Sequence, residues 1–296
     1  MTSIAILLHE LDDAFDSNPY LLKPMLGYWQ RRGFNVVTLR GTHSRPQAEL
    51  LIPHLDLTAT PPDYAAVYAD YPRVLNRRVL DIAKSSFSAN LVSRDSAYDG
   101  PVIVKTDGNY GGLPERRLAR RSKKSPVARL ARRLARLADK FRSGPNWRGL
   151  EHLTPDQYPV FESLAQVPPE VFDNPSLVVE KFLAERDGDA YCLRYYSFLG
   201  DRETSLRFLS HNPIAKGANI HHVEECPVPE ELRQLRCRLG FDYGKFDYVM
   251  HAGRAEVFDV NRTPFSTVLR RFDLYESVTR HLAGGIDALL DGSPRP

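Results

Sequence analysis

Short apolar runs and two hydrophobic periods divide the chain into elements. Residues 4–8 (IAILL) are apolar at every position, the pattern of a central strand buried on both faces. Between residues 20 and 32 the apolar positions Leu22, Met25, Leu26 and Trp29 recur at helical spacing, and Gly33 can end that helix. Residues 35–39 are rich in β-branched side chains and predict a second strand, and residues 49–57 predict a third. The first ~60 residues therefore predict a small open α/β unit.

A turn at Pro61-Pro62 leads to a helix predicted over 79–86 and a buried strand over 101–105 (PVIVK) that ends in a cation. Residues 106–112 (TDGNYGG) hold three glycines and predict a flexible loop rather than a regular element. Val127, Leu130, Leu134, Leu137 and Phe141 step at helical spacing, which predicts an amphipathic helix with arginines on its other faces. Residues 176–183 (SLVVEKFL) read as a strand running into an acidic bend, and 191–199 with 203–209 as a hairpin around Gly200-Asp201. A helix over 230–240 closed by Gly240, a hairpin of 246–250 with 255–260 turned at 251–254, and a last helix over 275–290 complete the pattern. No internal repeat is visible.

Composition narrows the class without naming a chemistry. The 296 residues suffice for a well-buried core and two or three subdomains. Apolar (42%) and charged (26%) fractions match an ordinary soluble globular protein. No apolar run approaches the roughly 20 residues that cross a bilayer, and the start lacks the basic region and cleavage site of a secretory signal. The three cysteines, Cys192, Cys226 and Cys237, form no CxxC pair, so a reducing cytoplasm is the expected setting.

Charge is unevenly placed. Between Arg116 and Arg142 twelve Lys or Arg stand against one acid, Asp139, so this stretch carries +11 and the rest of the chain −8 of the overall +3. The segment reads either as a solvated helix face with an apolar seam or as a docking surface for an acidic protein, carrier or peptide. Nucleic acid is the least favoured partner, because no aromatic residues interleave the arginines to stack on bases.

Residues 240–264 (GFDYGKFDYVMHAGRAEVFDVNRTP) hold the most informative chemistry. Asp247 falls on one predicted strand, while Asp259 and Asn261 lie two apart on its partner and share a face. Two carboxylates and an amide oxygen make an oxygen-only set suited to Mg²⁺ shared with phosphate. Alone, the hairpin reads equally well as acids on the wet face of an antiparallel pair. Lys105 ends an apolar strand ahead of the glycines Gly108, Gly111 and Gly112, a setting in which an ammonium and backbone N–H groups can meet phosphate. His221-His222 with Glu224, Glu225 and Cys226 fit no zinc spacing. His9, His54 and Asp56 sit near strand ends, where they either face a substrate or serve the structure.

The order of these features (helix lysine, strand lysine with a Gly loop, VVEKFL, an arginine strand, then D…DxNR) resembles the ATP-grasp superfamily, whose members include D-alanine–D-alanine ligase, biotin carboxylase and glutamate ligases that modify ribosomal protein tails. The resemblance spans residues 73–264 and is carried by the set rather than by one motif. It implies an α/β architecture with α+β lobes: a pre-ATP-grasp domain over 1–95, a central lobe over 96–183 with an insertion at 116–142, and a C-terminal lobe over 184–296. By position, Lys84 and Lys105 match phosphate-binding lysines, and Glu180, Lys181 and Leu183 the adenine hinge. Glu185 or Asp187 matches the ribose partner, Arg194 an arginine near the γ-phosphate, and Arg262 a basic residue near the acyl phosphate. Asp247, Asp259 and Asn261 match the ligands of two Mg²⁺ ions, with Mn²⁺ as the alternative metal. Family members more often carry Glu at the position of Asp259, one methylene longer.

The implied activity is an ATP- and Mg²⁺-dependent ligase joining a small-molecule or peptide carboxylate to a nucleophilic acceptor, a carbon–nitrogen ligase before others. A phosphotransferase acting on a hydroxyl, and an ATP-responsive binding module working through the basic helix, are the alternatives. Oligomeric state and substrate identity are not encoded in these patterns.

Overall fold

A computed structural model describes residues 2–122, 145–214 and 219–291. They form two compact units, one from residues 2–82 with 183–291 and the other from residues within 83–182.

The first unit begins with a parallel sheet of β1 (Ser3–Leu8), β2 (Asn35–Arg40), β3 (Leu50–Pro53) and β4 (Arg73–Val74), in the order β2-β1-β3-β4. Because β1 is apolar throughout, its two faces feed two cores. Ile4, Ile6 and Leu8 pack with Met25 and Trp29 of the helix Leu22–Arg31, while Ala5 and Leu7 pack with Leu51, Tyr64 and Tyr68. The helix ends at Gly33, as its sequence predicts, and the third strand is shorter than the predicted 49–57.

The second unit is a small antiparallel sheet of β5 (Val102–Thr106), β6 (Val160–Phe161) and β7 (Leu177–Lys181), ordered β6-β5-β7. Val102, Val104, Leu177 and Val179 turn to one side and build its core with Val92, Leu164, Val167 and Val171. A helix over Leu113–Ser122 follows the glycine segment. The amphipathic helix expected around Val127–Phe141 lies outside the described residues, as does most of the basic stretch.

The chain then returns to the first unit with β8 (Glu185–Asp187), β9 (Ala190–Leu199), β10 (Arg202–Ser210), β11 (Ile220–Glu225), β12 (Tyr243–His251) and β13 (Arg254–Asn261). The order is β11-β10-β9-β12-β13, with β8 paired to β9. Both predicted hairpins are present, β9–β10 and β12–β13, and the helix Glu230–Leu239 is capped by left-handed Gly240. Leu199, Leu206, Phe208 and Tyr243 join the core that also holds Ile4, Trp29 and Leu282.

Two local expectations change. Of the helix expected over 79–86 only the turn Lys84–Phe87 forms, because the backbone before it bonds to a neighbouring segment: Thr60 N–H donates to Leu80 O (2.7 Å) and Ile82 N–H to Thr58 O (3.0 Å). The final helix is two, Tyr275–Ala283 and Ile286–Asp291, broken where Gly285 presses on Leu199; a Cβ there would lie 1.8 Å from the Leu199 carbonyl oxygen. The glycine segment forms no regular element, as expected: within the turn Asn109–Gly112, Tyr110 and Gly111 are left-handed, at φ 45° and 73°.

Candidate functional site

In the second unit, period-2 alternation sorts the side chains. The face of β5 and β7 opposite the valine core carries Ile103, Lys105, Val178 and Glu180, since Lys105 pairs with Val178 and Ile103 with Glu180. The Lys105 ammonium lies 2.7 Å from Glu180 Oε2, and both side chains are buried. Glu180 also accepts a hydrogen bond from the Ser88 hydroxyl. Lys84 opens the turn Lys84–Phe87. Its N–H donates to Asp107 O and its ammonium to Gly108 O, both at 3.1 Å. The Asp107 carboxylate accepts from the Ser85 N–H and hydroxyl at 2.7 Å each. Lys84, Lys105, Gly108 and Glu180 thus gather around the end of β5.

Gly111 and Gly112 let the segment after β5 lie against residues 151–153. Gly111 has φ +73°, and a Cβ on it would stand 2.2 Å from Leu153 O. A side chain therefore fails there on both conformation and space. The Lys181 and Phe182 N–H groups of the expected hinge donate to Asn90 O and Pro101 O, at 2.9 and 2.8 Å. Leu183 falls in the first unit.

In the first unit, β12 and β13 place Asp247 opposite Asp259 and Lys245 opposite Asn261. On the other side of β12, Asp247 faces Tyr195 and Lys245 faces Ser197. One sheet face therefore holds Asp247, Asp259, Asn261, Lys245 and Tyr195. The register shifts by one residue just after Asp247, a bulge of the kind that re-aims side chains. The three expected ligands come together, and their donors are oxygens only, which fits a hard divalent ion. Among the described residues no group of three or more His, Cys, Asp or Glu gathers as a rival metal cluster.

Asn261 is held in place. Its Oδ1 accepts from Thr263 N–H (2.7 Å) and lies 3.3 Å from the Thr263 hydroxyl, which also donates to Asp56 (3.0 Å). Asp56 in turn accepts from the Tyr20 hydroxyl at 2.9 Å. His54 is fully buried edge-on to Tyr20 and Phe15, and burial pushes its pKa down to about 3, so the ring is neutral at physiological pH.

Lys245 belongs to this face and to no sequence motif. Its Nζ is 2.6 Å from Asp247 Oδ1 and 3.6 Å from the centroid of the Tyr195 ring. Burial alone would lower its pKa, but the Asp247 carboxylate, with Tyr195 and Asp259, raises it above the ordinary lysine value. The available sign was parity: Lys245 and Asp247 are two apart on one strand, as Asp259 and Asn261 are on the next.

The remaining expected residues stand apart from this face. Arg194 neighbours Tyr195 and so points to the opposite side of the sheet, in register with Tyr248 and Arg207. There it grips Glu185 with two nitrogens (2.7 Å at the closest), and Glu185 also accepts from Met250 N–H at 2.7 Å. Asp187 pairs with Arg207 at 2.6 Å. Arg262 is buried and donates to Leu57 O, Val79 O and the Thr60 hydroxyl at 2.7–2.8 Å, which pins the segment after β3.

No protein-family model matches the chain, and no curated protein does. Among solved structures it is similar to the ATP-grasp ligase PsnB complexed with a minimal precursor, with 12% identity, 99% of each chain covered and a TM-score of 0.52. D-alanine–D-alanine ligase from Bacillus anthracis (12% identity, 98% of this chain and 97% of that one, TM-score 0.49) scores lower. So does macrocyclase MdnC from Microcystis aeruginosa bound with precursor peptide MdnA (10% identity, 99% and 100%, TM-score 0.48). The likeness to PsnB shows the fold. This chain is an α/β protein with the ATP-grasp fold. No helix among the described residues is long and apolar enough to cross a membrane.

Proposed function

We propose that this protein is a Mg²⁺- and ATP-dependent ligase. The γ-phosphoryl group of ATP passes to a substrate carboxylate, ADP leaves, and an amine or other nucleophile attacks the acyl carbon and expels phosphate. The carrying observation is the single sheet face that collects Asp247, Asp259 and Asn261 through the register of β12 and β13. The second support is Lys84 and Lys105 around the end of β5 beside Gly108. PsnB is an ATP-grasp ligase complexed with a minimal precursor, and the substrate class proposed here is a small-molecule or peptide carboxylate.

Phosphoryl transfer of this kind is mostly positioning and charge neutralisation. Mg²⁺ would be held by Asp247, Asp259 and Asn261 and would neutralise phosphate oxygens. Lys84 and Lys105 supply point charges for the α- and β-phosphates, and the backbone of Gly108–Gly112 supplies N–H donors. Arg262 acts as a positioning residue, since its bonds to Leu57, Thr60 and Val79 hold the segment that carries Asp56, which bonds Thr263. Arg194 and Glu185 pair with each other on the opposite sheet face, and Asp187 pairs with Arg207, so none of the three is assigned a part at the Mg²⁺ face.

Asp259→Ala or Asn261→Ala is expected to abolish ADP formation while circular dichroism stays that of the parent. Unchanged turnover in either variant would remove the metal assignment. With peptide substrates, free phosphate plus a condensed product identifies a ligase; a stable phosphorylated product would identify a phosphotransferase instead.

A further inference from the structure

The acidic face of β12–β13 already holds a cation. Lys245 sits opposite Asn261 and two residues from Asp247, so its side chain emerges among the three proposed metal ligands. Its Nζ stands 2.6 Å from Asp247 Oδ1, with the Tyr195 ring against it at 3.6 Å from the centroid, and the side chain is only 13% exposed. A lysine on a surface strand ordinarily extends into water; this one is folded back over an aromatic ring onto a carboxylate, where cation–π and charge attraction reinforce each other.

We propose that Lys245 is a resident cation of this site, filling the role of one divalent ion, so that the hairpin binds a single Mg²⁺ rather than two. The inference rests on reading the hairpin as a metal site. Two observations carry it. Asp247, Asp259 and Lys245 together leave one net negative charge, which suits one divalent ion with phosphate oxygens and leaves little attraction for a second. One oxygen of Asp247 is also committed to the ammonium, and Asp259 has a methylene fewer than the glutamate that would more easily bridge two ions. A second ion close to the ammonium would meet direct like-charge repulsion, which a partly dry site screens poorly.

The inference separates from a plain ion pair that merely staples the two strands. A staple affects stability; a resident cation affects metal binding. The test is Mn²⁺ titration followed by electron paramagnetic resonance of the free ion, first without nucleotide. Lys245→Met and Lys245→Gln are expected to bind Mn²⁺ at least about tenfold more tightly than the parent, because the competing ammonium is gone. Lys245→Arg, which keeps a cation, is expected to stay near the parent. Affinities equal across all four proteins would overturn the proposal.

A second arm uses the parent chain alone and does not depend on a variant folding. With a non-hydrolysable ATP analogue at saturation, one Mn²⁺ per chain is expected, and two tight ions would overturn the inference. If the parent fails to bind the analogue while Lys245→Met still gains Mn²⁺, the ligase reading falls and the role of Lys245 stands.

Discussion

Two lysine–carboxylate pairs, one in each unit and both largely shielded from water, have nearly the same N···O distance and differ in the charged group beside them. Lys105 meets Glu180 at 2.7 Å in the small sheet, and Lys245 meets Asp247 at 2.6 Å on the large one. Around the first pair an additional charged group is Lys84, whose ammonium donates to Gly108 O, while Asp107 accepts from Ser85. Around the second it is Asp259. The same contact therefore stands beside a second cation in one unit and beside a second carboxylate in the other. What a site attracts is set by the third charge beside an ion pair rather than by the pair itself.

The largest test of that contrast is Glu180→Ala, which removes the carboxylate beside a buried ammonium. The expected cost is about 3–5 kcal/mol of stability, read from urea denaturation midpoints. Asp247→Ala is expected to cost clearly less, because Asp259 remains on the same face to attract Lys245. Equal losses would break the comparison.

Gly111→Ala probes the packing of the glycine segment beside Lys84 and Lys105 without touching their charges. With φ +73° and the Leu153 carbonyl in the way of a Cβ, a loss of about 1–3 kcal/mol is expected, together with weaker binding of an ATP analogue by calorimetry. A variant as stable as the parent would show that the segment between β5 and the helix Leu113–Ser122 can rearrange freely.

The smallest expected effect sharpens the cation side. Thr263→Val removes the hydroxyl that links Asp56 to Asn261 but keeps the backbone N–H that also holds the amide. Mn²⁺ affinity is expected to fall about tenfold, the lower range for loss of a supporting contact around a metal ligand. No change would mean that the backbone bond alone orients Asn261.

Much of this arrangement was legible from local pattern. The all-apolar run of β1, the glycine-closed helices after Trp29 and Leu239, and both hairpins follow from periodicity and turn residues, which act over a few positions. Asp259 and Asn261 share a face for the same reason, and so does Lys245 with Asp247, although no motif draws the eye to it. The helix expected over 79–86 failed because Thr58 and Thr60 offered its backbone other partners. The final helix broke because Leu199 left no room at Gly285.

The sequence by itself determined which residue types stand at which spacing, and therefore the elements, their buried faces and the oxygen-only composition of the hairpin. Only the tertiary structure decided which strand lies beside which and in what register. Register is a non-local quantity: sliding β9 by one residue against β12 would exchange Arg194 for Tyr195 on the acidic face. The folded chain instead places Tyr195 under Lys245 and turns Arg194 to Glu185. That pairing is fixed by burying Leu199, Tyr243 and Phe208 against the core around Trp29, a free-energy gain that no short stretch of sequence contains.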